Sequence, residues 1–139
     1  MNLIGQIINA MIAYYAGDVL RINHFLKVYG FAKAIGEMEG LDESTQEIIE
    51  IAALTHDIGI KNSEKKYNSS AGNYQQIEGP PEAKKLLAEL GIESGVIDRV
   101  CWLIAHHHTY TDIQGIDYQI LVEADFLVNF YATNPDCAL

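Results

Sequence analysis

The sequence predicts an all-α protein, a single-domain bundle of about six helices. Three observations predict it. Apolar residues recur at steps of three and four along most of the chain, no stretch alternates apolar and polar residues for long enough to make a strand, and Asp, Ser and Gly stand where helices would start and stop. There is no internal repeat and no low-complexity tract. With 139 residues, read as one domain over 1–139, the chain should bury roughly 68–70% of its unfolded surface, so a core can form without staples.

The first helix follows from Leu3, Ile4, Ile7, Ile8, Met11, Ile12 and Tyr15 at helical spacing, and it ends at Gly17. Asp18 suits the N-cap of a second, running to about Glu39, whose apolar stripe reads Leu20, His24, Val28, Phe31 and Ile35. Gly40 closes it, and Asp42 or Ser44 opens a third. Ile48, Ile49, Ala52 and Leu54 carry that helix's buried face into Ala53-Leu54-Thr55-His56-Asp57-Ile58-Gly59, where Gly59 can take the positive φ that ends a helix. From Gly59 to Ile77 the pattern breaks into a polar loop holding Lys61, Lys65 and Lys66.

Glu78-Gly79-Pro80-Pro81-Glu82 reads as a turn feeding a helix, because proline suits the first helical positions. Ala83, Leu86, Leu87 and Leu90 form its apolar face up to Gly91. Glu93 or Ser94 begins the next helix, with Ile97, Val100, Cys101 and Ile104 inward, and it runs into His106-His107-His108, of which His107 and His108 continue the stripe. Asp117 caps a last helix whose Ile120, Leu121, Ala124, Val128 and Tyr131 face the core. Trp102 reads as a core or rim residue, and Tyr14-Tyr15 as packing.

Composition narrows the function. Nine Lys and Arg against 19 Asp and Glu give a formal charge of −10, which repels a long phosphate backbone, and the basic residues do not cluster to offset it. No run reaches the eighteen or so apolar residues of a membrane span. The apolar start lacks the basic residues of a signal peptide, and Cys101 and Cys137 make no disulfide framework, so a reducing, cytoplasmic setting is expected.

Chemistry concentrates at four positions. His24, the His56-Asp57 pair and Asp125 stand on apolar stripes of three different helices, where burying them unpaired costs on the order of several kcal/mol. A shared divalent cation would satisfy all four. Two imidazoles and two carboxylates leave up to two octahedral positions for water and a substrate oxygen, and mixed N and O ligands favour Mn, Fe, Ni, Co or Mg.

In this order, with His-Asp-Ile-Gly in the middle and Val-Glu-Ala-Asp-Phe-Leu at the end, the chain resembles the HD superfamily of metal-dependent phosphohydrolases. The resemblance runs from about Arg21 to Asn129 and includes His24-Phe25-Leu26-Lys27-Val28, similar to the family's His-x-x-Arg/Lys-Val, and Ile77-Glu78-Gly79-Pro80 with the helix after it. Residues 1–17 lie outside the ligand-bearing segment. The resemblance implies an α-helical fold, one divalent ion on His24, His56, Asp57 and Asp125, and hydrolysis of a phosphoester of a small molecule, often a nucleotide, by metal-activated water. Asp57 would orient that water with its second oxygen, and Lys27 and Lys61 become candidates to hold phosphate.

The chain also departs from the pattern. Members with two metals place further histidines between the His-Asp pair and the last Asp, whereas none stands here between Asp57 and His106, which favours one metal. Gln75, Gln76 and Glu78 occupy that stretch, with Glu78 readable as an acid or base acting through water or as a helix-start carboxylate. Ile60 replaces a lysine often found there, with Lys61 one place on. His107 reads as a substrate-binding or second-metal residue, or as one of several histidines meeting a helix C-terminus. The leading expectation is a phosphohydrolase for a small phosphorylated substrate. The alternatives are a non-catalytic nucleotide-binding or regulatory module and an iron-dependent oxygenase of the same fold. The first helix is a dimer contact or a core element.

Overall fold

The computed structural model describes residues 2–132, the last two by backbone alone. Its elements are α1 (Leu3–Tyr14), α2 (Val19–Met38), α3 (Glu43–Thr55), α4 (Ile60–Tyr67), α5 (Gly72–Glu89), α6 (Ser94–His106) and α7 (Ile116–Leu127), the last running into a π-helical turn over Val128–Ala132. Among the described residues there is no strand, so the all-helical expectation holds.

α3 is the axis of the bundle. Every residue from Ile49 to Thr55 is buried, and α1, α2, α6 and α7 all pack on it. A helix buried on all sides needs polar groups only where they find partners. Glu50 has them, accepting from Gln46 Nε2 at 2.8 Å and from the Tyr29 hydroxyl at 3.4 Å. Between the two readings of α1, the structure carries the core: Ile7, Met11 and Tyr15 are buried at successive steps of four against α3.

Side-chain caps start three helices as expected, with Asp18 accepting from Arg21 N, Asp42 from Thr45 N and Glu93 from Gly95 N and Val96 N. Gly40 and Gly91 follow α2 and α5 with φ of 68° and 76°, the conformation that lets a helix turn back at low steric cost. Asp117 is not a cap. The residue before α7 is Gly115, and Asp117 lies in the first turn, held bidentately by Arg99 at 2.8 and 2.7 Å.

Four other expectations are corrected. On α2 the buried face is Phe25, Val28, Ala32 and Gly36, while Leu20 is 82% and Phe31 39% exposed, because the small residues are what let α2 approach α3 closely. A Cβ at position 36 would lie 2.6 Å from Ile49 Cδ1. The loop after Gly59 contains α4, which buries only Ile60 and Ser63 and so leaves no apolar stripe to read. α5 begins at Gly72 and carries Pro80 and Pro81 inside it, so the Pro-Pro pair removes two N–H donors within the helix rather than starting it. Gly59 has φ −74°, an ordinary helical value. It is small because α5 crosses there: a Cβ would sit 2.6 Å from Gly79 N and 2.7 Å from Gln75 O.

Ile97, Val100 and Ile104 of α6 and Ile120, Leu121, Ala124 and Val128 of α7 are buried as expected, and Cys101 is half-buried against Pro80. The side chain of Tyr131 and the whole of Cys137 lie outside the described residues. No described helix is long and apolar enough to cross a membrane.

Candidate metal centre

The end of α3, the first turns of α2 and the last turn of α7 meet at one point, and each brings a polar side chain to it. His24 Nε2 lies 3.1 Å from Asp57 Oδ2 and 3.1 Å from Asp125 Oδ1; His56 Nε2 lies 3.3 and 3.4 Å from the same two oxygens. Two nitrogens and two oxygens therefore close a four-membered ring of near-equal edges. Ligands about 2.1 Å from a shared cation stand roughly 3.0 Å apart when adjacent in an octahedron and roughly 3.4 Å apart in a tetrahedron. The observed edges fall in that range, so the residues fit a divalent ion.

The tautomers agree. His56 donates its Nδ1 proton to Ala53 O at 2.7 Å, which leaves Nε2 as the nitrogen to take a metal or a second proton; that atom is buried and has no hydrogen-bond partner among the described residues. His107 repeats the device at the C-cap of α6, with Nδ1 on Ile104 O at 2.6 Å and a buried Nε2, without a hydrogen-bond partner among the described residues, at 3.6 Å from Asp57 Oδ1. Asp57 thus turns one oxygen to each side. Burial opposes its ionisation, but His56, His107 and His24 outweigh burial and hold its carboxyl well below the usual range. Asp125 behaves likewise under His24 and His56, and also accepts from Asn129 Nδ2 at 3.3 Å. Reciprocally, burial opposes charge on His56, and the two carboxylates override it and raise its pKa. The centre wants positive charge, from protons or from a metal.

His24, His56 and Asp57 form one group whose ligand atoms could share an ion, and Asp57, His107 and His108 form another. The second is less open. His108 Nε2 is 2.9 Å from Gln75 Oε1, and its Nδ1 is 3.2 Å from the Tyr110 hydroxyl, while burial and then His107 push its pKa down to about 4. A neutral ring donating to Gln75 and accepting from Tyr110 has both nitrogens engaged. Gln76 completes the hold on this turn, its Oε1 accepting from His108 N and Thr109 Oγ1. Gln75 and Gln76 thus fix His108 and the turn after α6. His106 is separate from the centre, stacked on Trp102 at 4.0 Å.

The remaining expected site residues lie elsewhere. Glu78 is buried with both oxygens taken, Oε1 by Lys66 at 2.8 Å and Oε2 by the Tyr67 hydroxyl at 3.1 Å, so it fastens α4 to α5. Lys27 is exposed on α2. Lys61 donates to Tyr14 O at 3.0 Å and lies over the Tyr14 ring. The cation beside the centre is Arg21, which lines the cavity shared by Leu20, His24, Asp57, Ile60 and Asn129. It also lines the neighbouring cavity that contains Lys61. Glu64 holds its Nη2 at 2.6 Å, and its Nη1 is buried without a partner among the described residues. Sequence reasoning could have found Arg21 and Asn129, since each stands three or four residues from a ligand on the same helical face.

A family model described as HD domain matches residues 21–130 of the chain. No curated protein and no solved structure matches it.

Proposed function

The chain belongs to the HD domain family, and from that premise we propose that it is a metal-dependent phosphohydrolase, cleaving a phosphoester of a small molecule, with nucleotides among the candidates. One divalent ion, Mn, Fe, Ni, Co or Mg, would be held by His24, His56, Asp57 and Asp125. The observation that carries the reading is the buried Nε2 of His56 between two carboxylate oxygens. When bound, such an ion lowers the pKa of a water and offsets charge on phosphoryl oxygens.

The chain's own residues do the rest. Asp57 keeps Oδ2 on the ligand ring and turns Oδ1 toward His107, where it would take the proton of an attacking water. Arg21 lines the cavity and keeps an Nη1 without a partner among the described residues, which would take a phosphoryl oxygen on movement of the side chain away from Glu64, the part expected of Lys27. Lys61 in the adjoining cavity would meet the remainder of a longer substrate. The engagement of both His108 nitrogens supports a single ion over two. The net charge of −10 disfavours long nucleic acid as substrate.

Hydrolysis of p-nitrophenyl phosphate, mononucleotides and sugar phosphates with each metal tests the proposal. Metal-dependent turnover lost in Asp57→Ala is the expected result. Tight nucleotide binding without turnover would replace it with a binding or regulatory module, a reading favoured by the capture of Glu78, the expected acid or base, by Lys66 and Tyr67.

A further inference from the structure

The family match begins at residue 21, and α1 with the two tyrosines at its end lies before it. Those tyrosines reach the metal centre from behind. The Tyr15 hydroxyl donates to the main-chain oxygen of Asp57 at 2.8 Å, and the Tyr14 hydroxyl to that of Ile58 at 3.4 Å. Lys61, from the first turn of α4, donates back to Tyr14 O. Three contacts thus clasp α1 to the turn between α3 and α4, the turn that carries Asp57.

We infer that Tyr15 is a positioning residue of the metal centre and that α1, outside the family segment, is a working part of it. This rests on the metal reading of the site. Asp57 must aim two oxygens in two directions, Oδ2 at His24 and His56 and Oδ1 at His107. Its side chain has only two torsions to do so, so the placement of the backbone at residue 57 limits where its oxygens can point. The peptide plane there is fixed through its oxygen, which accepts from Ile60 N at 3.0 Å on one side and from Tyr15 on the other. The bond to Ile60 belongs to the turn and moves with it. The bond to Tyr15 ties the turn to a different helix. Tyr15 is itself immobilised: it is 5% exposed, it ends the buried Ile7–Met11–Tyr15 stripe, and its ring meets Tyr14 edge-on at 5.0 Å. A donor held by packing orients the ligand it bonds, and removing such an outer partner weakens metal binding by about 10–100-fold in well-studied sites.

Co(II) titration of the full chain, followed by the ion's visible absorption, tests this, with Tyr15→Phe keeping the ring and removing only the hydroxyl. The expected result is about tenfold weaker Co(II) binding and an altered absorption band, with far-UV circular dichroism unchanged. Tyr14→Phe, which loses a longer bond, should change affinity less than threefold or so. Lys61→Ala, at an exposed position, loosens the same clasp without touching the core and should shift affinity in the same direction as Tyr15→Phe. Wild-type-like affinity and absorption in both Tyr15→Phe and Lys61→Ala overturn the inference while the metal reading stands. Should Tyr15→Phe not fold, an unchanged Lys61→Ala overturns it alone. A wild type that takes up no Co(II) removes the metal reading and the inference together.

Discussion

Gly59→Ala separates two accounts of the glycine that follows the His-Asp pair. If the position needed a left-handed backbone, alanine would be strained by conformation, but φ is −74°, where alanine is at ease. The obstacle is α5. An added Cβ would stand 2.6 Å from Gly79 N, 2.7 Å from Gln75 O and 2.9 Å from Gly79 Cα, against the 3.4 Å where ordinary contact begins. All three are backbone atoms that no rotamer change can move, so the α3–α4 turn and α5 must part by roughly 0.8 Å, an overpacking that costs about 1–3 kcal/mol. For a domain of this size that is a fall in Tm of about 4–12 °C by thermal unfolding. Metal affinity should fall with it, since Asp57 is two residues away. Gly30→Ala is the control: it lies inside α2 with nothing within 4 Å of the new atom, and it should gain about 0.5–1 kcal/mol from helix propensity alone. A Gly59→Ala protein within about 0.5 kcal/mol of wild type would refute the close-crossing account.

Further outcomes are expected from the site and its surroundings. Saturating metal should stabilise the protein, by about 2.7 kcal/mol at a hundredfold excess over Kd, and a chelator should reverse the shift; His24→Ala and Asp125→Ala should abolish it in a thermal-shift assay. Glu64→Gln should tighten the binding of phosphate or vanadate to the metal-loaded protein, because it releases Arg21, and Arg21→Gln should weaken it; unchanged affinities in equilibrium dialysis would remove Arg21 from the site. Asp117→Asn should cost about 1 kcal/mol near neutral pH, a figure reduced for the partial exposure of Arg99. Burial opposes charge on Asp117, but Arg99 outweighs it and lowers the folded pKa, so the stabilisation is complete above the unfolded value near 3.9 and is lost as pH falls through the lower folded value. The difference in Tm between wild type and Asp117→Asn should therefore shrink in acid, and a constant difference would contradict the ion pair.

The four ring residues are legible in the sequence because each stands out of place among apolar neighbours, His24 even though the stripe that flags it runs through the exposed Leu20 and Phe31. A histidine or aspartate among apolar positions is conspicuous, and three such breaks on three helices make sense only if the helices bring them together, as they do at 3.1–3.4 Å. The apolar stripe of α2 and its buried face differ for the converse reason. Ala32 and Gly36 carry little hydrophobic signal, yet small residues make the closest helix contact, so a stripe drawn through Leu20 and Phe31 followed size and missed the interface. α4 was invisible because its order comes from partners, Glu78 on α5 bonding Lys66 and Tyr67, and not from an apolar stripe of its own.

What stayed hidden has a common form. Gly59 matters through Gly79 and Gln75, Tyr15 through the peptide of Asp57, and His108 through Gln75, each pairing residues more than a dozen positions apart. A single sequence records the chemistry of a side chain but not the identity of the atom it will face, and a glycine or a tyrosine is compatible with many neighbours. Ligand residues escape this limit because their demand for a charged partner is strong wherever they are buried. Positioning residues have no such signature. Support for the HD motif can therefore come from a helix outside the matched segment, and a reading confined to the motif would assign to Asp57 alone an orientation that depends on Tyr15.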